Sequence, residues 1–194
     1  TVLGGIGYPL INATEIAVNS KNEAYITGNV RGGIHTTPGA YQTIKGGGLT
    51  DAFITKLNDT GTGLIYSTFL GGTGNDGAHT IAVNTKDEVI VSGTTTSPNF
   101  PVSADALQKT LAGSGSSTDF FITQLASDGS SLADGGSTYL GGTGTESESS
   151  LAIDPTGTVV YLGNNTYSDD FPIQDRFGLK GPTAQVYRST KSNP

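Results

Sequence analysis

The chain has 194 residues, of which 29 are glycine and 8 are proline, and 34% of its residues are hydrophobic. This much glycine and proline favours short strands and many turns over long helices. Ten basic residues against 17 acidic residues give a formal net charge of −7, which argues against a protein that binds nucleic acid or an anionic membrane. The absence of cysteine excludes disulfides, cysteine-ligated zinc sites and iron–sulfur clusters.

Two further compositional features bear on where the protein works. The chain contains no methionine, so Thr1 is not a translational start, and we expect either a processed protein or an internal piece of a longer one. No apolar run approaches the roughly 20 residues that a membrane-spanning helix needs, so we expect no membrane span. A chain without cysteine, methionine or tryptophan also resists oxidation. The composition therefore favours an extracellular or cell-surface location.

Three copies of one sequence unit make up the chain. A Thr-x-Leu-Gly-Gly motif opens each copy, at residues 1–5, 68–72 and 138–142. A second motif, Ile-Ala-Val-Asn or its variant Leu-Ala-Ile-Asp, follows at residues 16–19, 81–84 and 151–154. Repeats of this length are typical of architectures built by stacking one supersecondary unit. We therefore expect a single repeat domain, residues 1–194, divided into repeat 1 (1–67), repeat 2 (68–137) and a degenerate, truncated repeat 3 (138–194).

Each repeat should contain four short strands, because its apolar runs are short, rich in β-branched and aromatic residues, and bounded by turn residues. We name these strands A, B, C and D in chain order; in repeat 1 they correspond to residues 16–18, 25–28, 51–57 and 65–72. Strand A is apolar with a small central alanine, which predicts the innermost position, whereas C and D alternate as outer strands do. We expect about 11 to 13 strands and at most a helical turn near Tyr41 and Leu107.

The connections between these strands carry turn signals. Joints rich in asparagine, aspartate and glycine link A to B and C to D, and they predict tight antiparallel hairpins with these residues at positive φ. Such joints include residues 20–23, 59–61, 85–88 and 128–129. A longer segment separates B from C, and its recurrent apolar pair predicts a loop that folds back over the strands.

Four antiparallel strands in each of several repeated units is the pattern of a β-propeller. We therefore predict an all-β fold of propeller-type blades, with about three repeats and an incomplete propeller in each chain. The Tyr-Leu-Gly-Gly-Thr-Gly, Ile-Ala-Val-Asn, Phe-Pro and Asp-Ala-Phe-Ile-Thr-Lys-Leu-Asn elements resemble the SBBP repeats, the "beta-propeller repeat" of prokaryotic secreted and cell-surface proteins. This resemblance implies an extracellular propeller and transfers no catalytic residue.

Motifs that could carry chemistry are few. Residues 72–77 satisfy a G-x-G-x-x-G spacing, but they lie between two antiparallel strands with no helix to bind a phosphate, which favours a simple turn. His35 and His79 occupy non-equivalent points of the repeat, in the long loop and just before strand A, without a nucleophile motif beside them. We therefore predict no catalytic residue and no cofactor.

A metal site is the remaining chemical possibility. Asp76, Glu146 and Glu148 fall in equivalent turns after the Gly-Gly pair, where a hard cation could find oxygen ligands. Since the surrounding sequence lacks any calcium-binding spacing, we favour ordinary solvated turn acids and predict no metal.

Three N-x-[ST] sequons make Asn12, Asn58 and Asn164 candidates for glycosylation. Asn12 and Asn58 fall in predicted loops. Such sequons arise readily by chance in a chain rich in threonine and asparagine.

The ends of the chain carry complementary strands. Thr1, Val2 and Leu3 form an orphan D-type strand, and Val186 and Tyr187 lie in a weak C-type strand with no D strand after it. Because three units cannot bring the first strand round to the third, the vacancy beside Val186 would accept residues 1–3 of another copy. The sequence thus predicts a homo-oligomer formed by head-to-tail strand addition, as a closed ring or a filament. The alternative is a chain cut inside a larger propeller.

These expectations favour a non-enzymatic extracellular protein with a structural, adhesive or filament-forming role and with cell-surface or glycan contacts. The alternative is a propeller that is an enzyme or binds a carbohydrate or protein ligand. Its site would lie in an axial funnel lined by the loops that enter and leave strand A. A cluster of acids, histidines or aromatic residues at equivalent loop positions would support that alternative, and the sequence contains only isolated ones.

Overall fold

A computed structural model describes residues 10–154, 159–172 and 183–188 of the chain. These residues form strands and connecting loops without an α-helix, which confirms the all-β prediction. No described segment is a helix long and apolar enough to cross a membrane. The described strands are β1 (Leu10–Val18), β2 (Ala24–Arg31), β3 (Asp51–Leu57), β4 (Leu64–Leu70), β5 (Asp76–Val83), β6 (Val89–Thr95), β7 (Asp119–Leu125), β8 (Leu132–Leu140), β9 (Glu146–Ile153), β10 (Val159–Thr166) and β11 (Thr183–Arg188).

The strands form three sheets, one after another along the chain. Sheet 1 has the order β1-β2-β3-β4, sheet 2 the order β5-β6-β7-β8, and sheet 3 the order β11-β10-β9. All neighbouring strands are antiparallel except β10 and β11, which pair in parallel. The predicted A-B-C-D meander is thus present in sheets 1 and 2, whereas the last strand of sheet 3 runs opposite to the expected direction.

That departure coincides with a change in sequence at the start of strand C. β3 and β7 each begin with a buried aspartate, and its carboxylate accepts hydrogen bonds from the loop before the strand. β11 begins instead with Thr183. The aspartate that opens strand C in the first two sheets therefore has no counterpart at the first position of β11.

The hairpin turns have the predicted chemistry. Asn22 and Asp87, in the turns from β1 to β2 and from β5 to β6, have φ of 61° and 62°. Gly61 and Gly129 occupy the positive-φ positions between β3 and β4 and between β7 and β8. These residue types reach the left-handed region at the lowest cost, so the turn prediction is confirmed.

Strand C is more buried than predicted. β7 is buried at all seven positions, and β3 at all but its last. Each has a hydrogen-bonded strand on both sides and apolar contacts on both faces, as Phe120 and Phe121 of β7 show by packing into different cores. The expectation that C alternates like an outer strand is therefore wrong. Neighbouring sheets cover both faces of β7, and the second face of β3 is covered by side chains of sheet 1 and of the loop after β2.

The long loops from B to C fold back over strand D, as predicted. In sheet 1, the amide of Thr37 donates to the carbonyl of Ser67, and the amide of Phe69 donates to the carbonyl of Gln42. In sheet 2 the amide of Ser103 donates to Ser137, and that of Tyr139 to Gln108. The loops therefore occupy the outer edges of β4 and β8, which would otherwise be open to pairing with other chains.

Each sheet packs on the one before it through its strand A. β5 lies against β1, β2 and β3, and β9 lies against β5, β6 and β7. The first apolar core fills the space between sheets 1 and 2, with the rings of Phe100 and Phe121 stacked at 4.4 Å. The second core fills the space between sheets 2 and 3. Burial of this apolar surface is the main stabilising contribution to the stack.

Candidate functional site

The turn that follows the Gly-Gly pair between β4 and β5 is held by side-chain acceptors. The amide of Gly72 donates to Oδ2 of Asp76 at 2.8 Å, and that of Thr73 to Oδ1 of Asn99 at 2.8 Å. The amide of Gly74 donates to Oγ of Ser97 at 2.8 Å. Amides that could bind a phosphate are thus occupied from within the chain. This supports the interpretation of the G-x-G-x-x-G spacing as a turn.

This turn forms the junction between sheets 1 and 2. Asp76 lies inside the junction and is 1% exposed. Its Oδ2 also accepts a hydrogen bond from Ser97 Oγ at 2.7 Å, and its Oδ1 accepts one from Thr95. Burial raises the pKa of the Asp76 carboxyl above its usual range, although these hydrogen bonds oppose the shift. The expectation of a solvated turn acid is wrong for Asp76, because its partners are distant in sequence.

Glu146 has the same role in the junction between sheets 2 and 3. Its Oε1 accepts hydrogen bonds from Thr166 Oγ1 at 2.9 Å and Ser168 Oγ at 2.5 Å, and the residue is 1% exposed. Burial raises the pKa of this carboxyl also. Asp170 completes the set by accepting from the amide of Thr143 at 2.8 Å. Glu146 is therefore buried rather than solvated, and the side chain of Glu148 lies outside the described residues.

Sequence reasoning missed the partners of these two acids. They lie in a Thr-x-Ser-x-[Asn/Asp]-Phe-Pro segment that occurs at residues 95–101 and again at 166–172. The recurring hydroxyl and amide or carboxylate residues before the Phe-Pro pair were a visible signal. Their role becomes clear only when the segment is placed over the Gly-Gly turn.

A second buried acid opens strand C in both complete sheets, and the two copies differ in their surroundings. Asp51 lies 3.2 Å from Nζ of Lys45. Asp119 accepts hydrogen bonds at Oδ2 from Gln108 and the amide of Ala112, while its Oδ1 has no hydrogen-bond partner in the described part of the chain. Leu111 stands at the sequence position of Lys45. Burial raises the pKa of the Asp119 carboxyl.

The opposite end of the sheets carries a cleft of about 420 Å³ where the turns from A to B converge. Equivalent residues of all three repeats line it: Val18, Val83 and Ile153, followed by Asn19, Asn84 and Asp154. The turns that leave strand A are among the loops that would line the funnel of a ligand-binding or enzymatic propeller, the alternative considered above. The lining combines an apolar floor with amide, hydroxyl and carboxylate groups, which suits a small polar ligand.

The asparagines of this cleft are engaged in capping their own turns. Oδ1 of Asn19 accepts from the amides of Lys21 and Glu23 at 3.0 and 2.9 Å. Its Nδ2 donates to Oδ1 of Asp87, in the turn of the next repeat, at 2.9 Å. Asn84 caps its own turn in the same way. Much of the polar lining therefore stabilises the turns themselves.

An ion pair joins the first two turns. Nζ of Lys21 lies 2.5 Å from Oδ2 of Asp87. The hydrogen bond and the opposite charge of Lys21 hold the pKa of Asp87 below its usual range, and Asp87 raises the pKa of Lys21 in return. Because Lys21 is largely exposed, this pair adds little stability.

The two histidines lie in unrelated places. His35 is exposed in the loop after β2, whereas His79 lies within β5, at its bulge, rather than before strand A. Nε2 of His79 lies 3.4 Å from Oγ1 of Thr94. In the described part of the chain, no three histidine, aspartate or glutamate side chains are grouped to hold a metal ion.

The sequons differ in accessibility. Asn12 is exposed but lies in β1, so its predicted loop location is wrong. Asn58 follows β3 in a loop, where its Oδ1 accepts from the amides of Thr62 and Gly63. Asn164 is 2% exposed within β10. A glycan needs an accessible amide, so Asn164 is unsuitable in the folded chain.

The candidate assembly strands are only partly covered by the structure. Thr1, Val2 and Leu3 lie outside the described residues. Val186 and Tyr187 belong to β11, where they pair with Leu162 and Gly163. β11 is the last strand of its sheet within the described part, so its outer edge lacks a strand there.

Comparison with known proteins adds no relative. The chain matches no protein-family model, and a search of curated proteins finds no match.

Proposed function

We propose that this chain is a non-enzymatic extracellular structural module, whose sheets are blades of an incomplete β-propeller and whose copies associate head to tail. Its role would be structural, adhesive or filament-forming at a cell surface. The SBBP-like motifs and the composition support this placement, and the exposed sequon at Asn12 and the half-buried one at Asn58 would suit glycan attachment there.

One observation carries the proposal: the recurrent polar residues are used to build the stack. Asp76 and Glu146, in equivalent turns, direct their oxygens to hydroxyl groups of the same repeat. Asn19 and Asn84 cap equivalent turns. Residues that recur from repeat to repeat thus hold the turns at both ends of the sheets, as expected of a structural module.

The propeller arrangement is supported by the order of contacts between the sheets. Strand A of each sheet lies at a sheet edge, and β1, β5 and β9 follow one another in contact. Inner strands that neighbour each other around an axis would give this pattern. Within the described residues, sheets 1 and 3 each pack on one other sheet only, and an uncovered face on each would promote head-to-tail association.

The experiment is a measurement of mass by light scattering on the intact chain and on a chain without Thr1, Val2 and Leu3. Strand addition predicts that the deletion reduces the oligomer to monomers, because the donated main-chain hydrogen bonds are lost. A chain in which these residues are replaced by Gly-Ser-Gly should also be monomeric, since it keeps the length but lacks the strand-forming side chains. Equal assembly of all three chains would refute strand addition.

A ligand-binding role is the second candidate, and the cleft at the A-to-B turns favours it. Its lining repeats in all three units and includes Asp87 and Asp154. Titration calorimetry with neutral and basic oligosaccharides would test it, with Thr85→Arg to fill the cleft and Thr43→Arg, on an exposed loop, as the control. Binding that only Thr85→Arg abolishes would establish this role.

A further inference from the structure

Ile16 and Ile81 occupy the same position in sheets 1 and 2 but differ greatly in exposure. Ile16 pairs with Ile26 in β2, two residues from Gly28, and Ile81 pairs with Val91 in β6, two residues from Gly93. β1 and β5, the strands that carry the two isoleucines, also have a bulge at the same point, after Ala13 and after Ala78. Ile16 is nevertheless 60% exposed, and Ile81 only 5%.

The difference extends over much of the sheet face at its inner strands. We call the side of a sheet that carries Ile16 or Ile81 its leading face. Val30, Phe53 and Phe69 of sheet 1 are buried on this face, in a cluster that includes Ile34 of the loop after β2. Elsewhere on the face, the residues of sheet 2 are covered by sheet 1, whereas the equivalent residues of sheet 1 are more exposed. The equivalent pairs, sheet 1 first, are Ala13 and Ala78, Val18 and Val83, Ala24 and Val89, Ile26 and Val91, and Leu57 and Leu125.

The covering residues of sheet 1 lie on its opposite side, the trailing face. Ala17, Tyr25, Ile54, Tyr66 and Leu70 belong to this face and pack into the same core as Ile81 and Val91. Hydrogen bonds reinforce the contact: Oε2 of Glu15 accepts from the amide of Ile81 at 2.6 Å, and Thr14 Oγ1 donates to the carbonyl of Ala78 at 2.9 Å. A leading face of this kind is therefore complementary to a trailing face.

Sheet 3 carries a trailing face with the same residues at its inner strands. Ala152 pairs with Tyr161 in sheet 3, as Ala17 pairs with Tyr25 in sheet 1. Tyr25 is fully buried by sheet 2, whereas Tyr161 is half-buried and Ala152 is exposed. At their inner strands, sheets 1 and 3 thus present the two halves of the interface seen between sheets 1 and 2.

We propose that the leading face of sheet 1 binds the trailing face of sheet 3 in a second copy of this chain. The contact repeats the packing of the inner strands between sheets 1 and 2 and is heterologous, so it propagates or closes into a ring. It rests on the proposed self-association of the chain but uses different atoms from strand addition, which needs the main chain of residues 1–3 and β11. Exposed apolar residues on the leading face supply the driving force.

Two variants test the contact, each blocking one face. Ile16→Lys places a charge on the leading face, and Ala152→Arg places one on the trailing face; both positions are exposed, so we expect folding to persist. By light scattering, the unmodified chain should form oligomers. Each variant alone should remain monomeric even at a concentration at least ten times that at which the unmodified chain forms oligomers. Ile44→Lys, at an exposed loop residue outside both faces, should assemble normally.

Mixing the two variants gives the decisive result. A one-to-one mixture should form dimers and nothing larger, because only the unmodified face of each variant can pair. Far-ultraviolet circular dichroism and thermal melting confirm that both variants are folded. An unmodified chain that stays monomeric at all concentrations, or variants that still assemble on their own, would overturn the proposal.

The outcome separates this contact from strand addition. If deletion of Thr1, Val2 and Leu3 abolishes assembly while both face variants assemble, strand addition is correct and the sheet-to-sheet contact is wrong. If the face variants abolish assembly and the deletion does not, the reverse holds.

Discussion

Nζ of Lys45 lies 3.2 Å from Oδ1 of Asp51, a carboxylate with no exposed surface at the start of β3. Lys45 also donates to the carbonyl of Gly48 at 2.9 Å, so the ammonium group ties the loop to the strand. The other carboxylate oxygen accepts from the amide of Gly46 at 2.7 Å. The lysine is therefore the group that compensates the buried charge.

Lys45→Met should lower the free energy of unfolding by about 2–3 kcal/mol, because it leaves a buried carboxylate without its cation. Urea denaturation measures the change. Lys109→Met, at an exposed loop residue, should shift it by less than about 0.5 kcal/mol. In the double variant with Asp51→Asn most of the loss should be recovered. A double variant no more stable than Lys45→Met would mean that the lysine acts through packing alone.

Asp119→Asn should stabilise the protein at neutral pH by about 1 kcal/mol. Asp119 lacks the counterpart of Lys45, and burial raises its pKa above that of the unfolded chain. A group whose pKa is raised by folding contributes stability at a pH below its pKa in the unfolded chain. That contribution is lost as the pH rises through its pKa in the folded chain. The gain from the substitution should therefore be larger at about pH 7 than at about pH 4.

Urea midpoints of both proteins at the two pH values test this dependence, with Asp59→Asn at an exposed turn as the control. The amide oxygen of the new asparagine can still accept from Gln108 and Ala112, so the loop keeps its anchor. A gain of equal size at both pH values would show that the charge of Asp119 is not responsible.

Local signals predicted most of the strands and turns. The hairpins depend on neighbouring residues alone, so Asn22 and Asp87 could be assigned to positive φ from the sequence. The long loops were assigned correctly because their apolar residues needed a surface to cover. The burial of β7 was missed because alternation in a strand does not reveal whether a second sheet covers its other face.

The acids of the junctions could not be placed for a related reason. Asp76 looks like a surface turn residue until Ser97, 21 positions later, is placed above it. The capping role of Asn19 in the cleft at the A-to-B turns could not be assigned from the sequence either, because it depends on turn geometry. The predicted direction of β11 was wrong because the prediction assumed an unbroken antiparallel meander. β11 does not begin with the aspartate that anchors β3 and β7.

Gly71→Ala should destabilise the protein by about 1–3 kcal/mol. A Cβ at Gly71 would lie 2.7 Å from Oδ2 of Asp76 and 2.9 Å from Cγ of Asp51, so both buried carboxylates would have to move. Gly33→Ala is the matched control, because a Cβ there meets nothing within 4 Å. Thermal melting of the two variants compares them directly. Equal melting temperatures would show that the junction can relax around a methyl group.

Asn164→Ala should raise the free energy of unfolding by about 1 kcal/mol. Asn164 occupies in β10 the position that Gly28 and Gly93 have in β2 and β6, and it is 2% exposed. Neither Oδ1 nor Nδ2 of this side chain has a hydrogen-bond partner within the described ranges, and an unsatisfied buried amide costs about 1–3 kcal/mol.

The expected gain is at the low end of that range, because alanine fills less of the space that the asparagine side chain occupies. Urea denaturation measures it, and Asn12→Ala, at an exposed position of β1, should have little effect. A clear loss of stability in Asn164→Ala would mean that the amide is satisfied in solution.

The burial of Asn164 also predicts where glycans can be attached. Mass spectrometry of glycosylated protein should find glycans at Asn12 or Asn58 but none at Asn164, since the enzyme that attaches a glycan must reach the side-chain nitrogen.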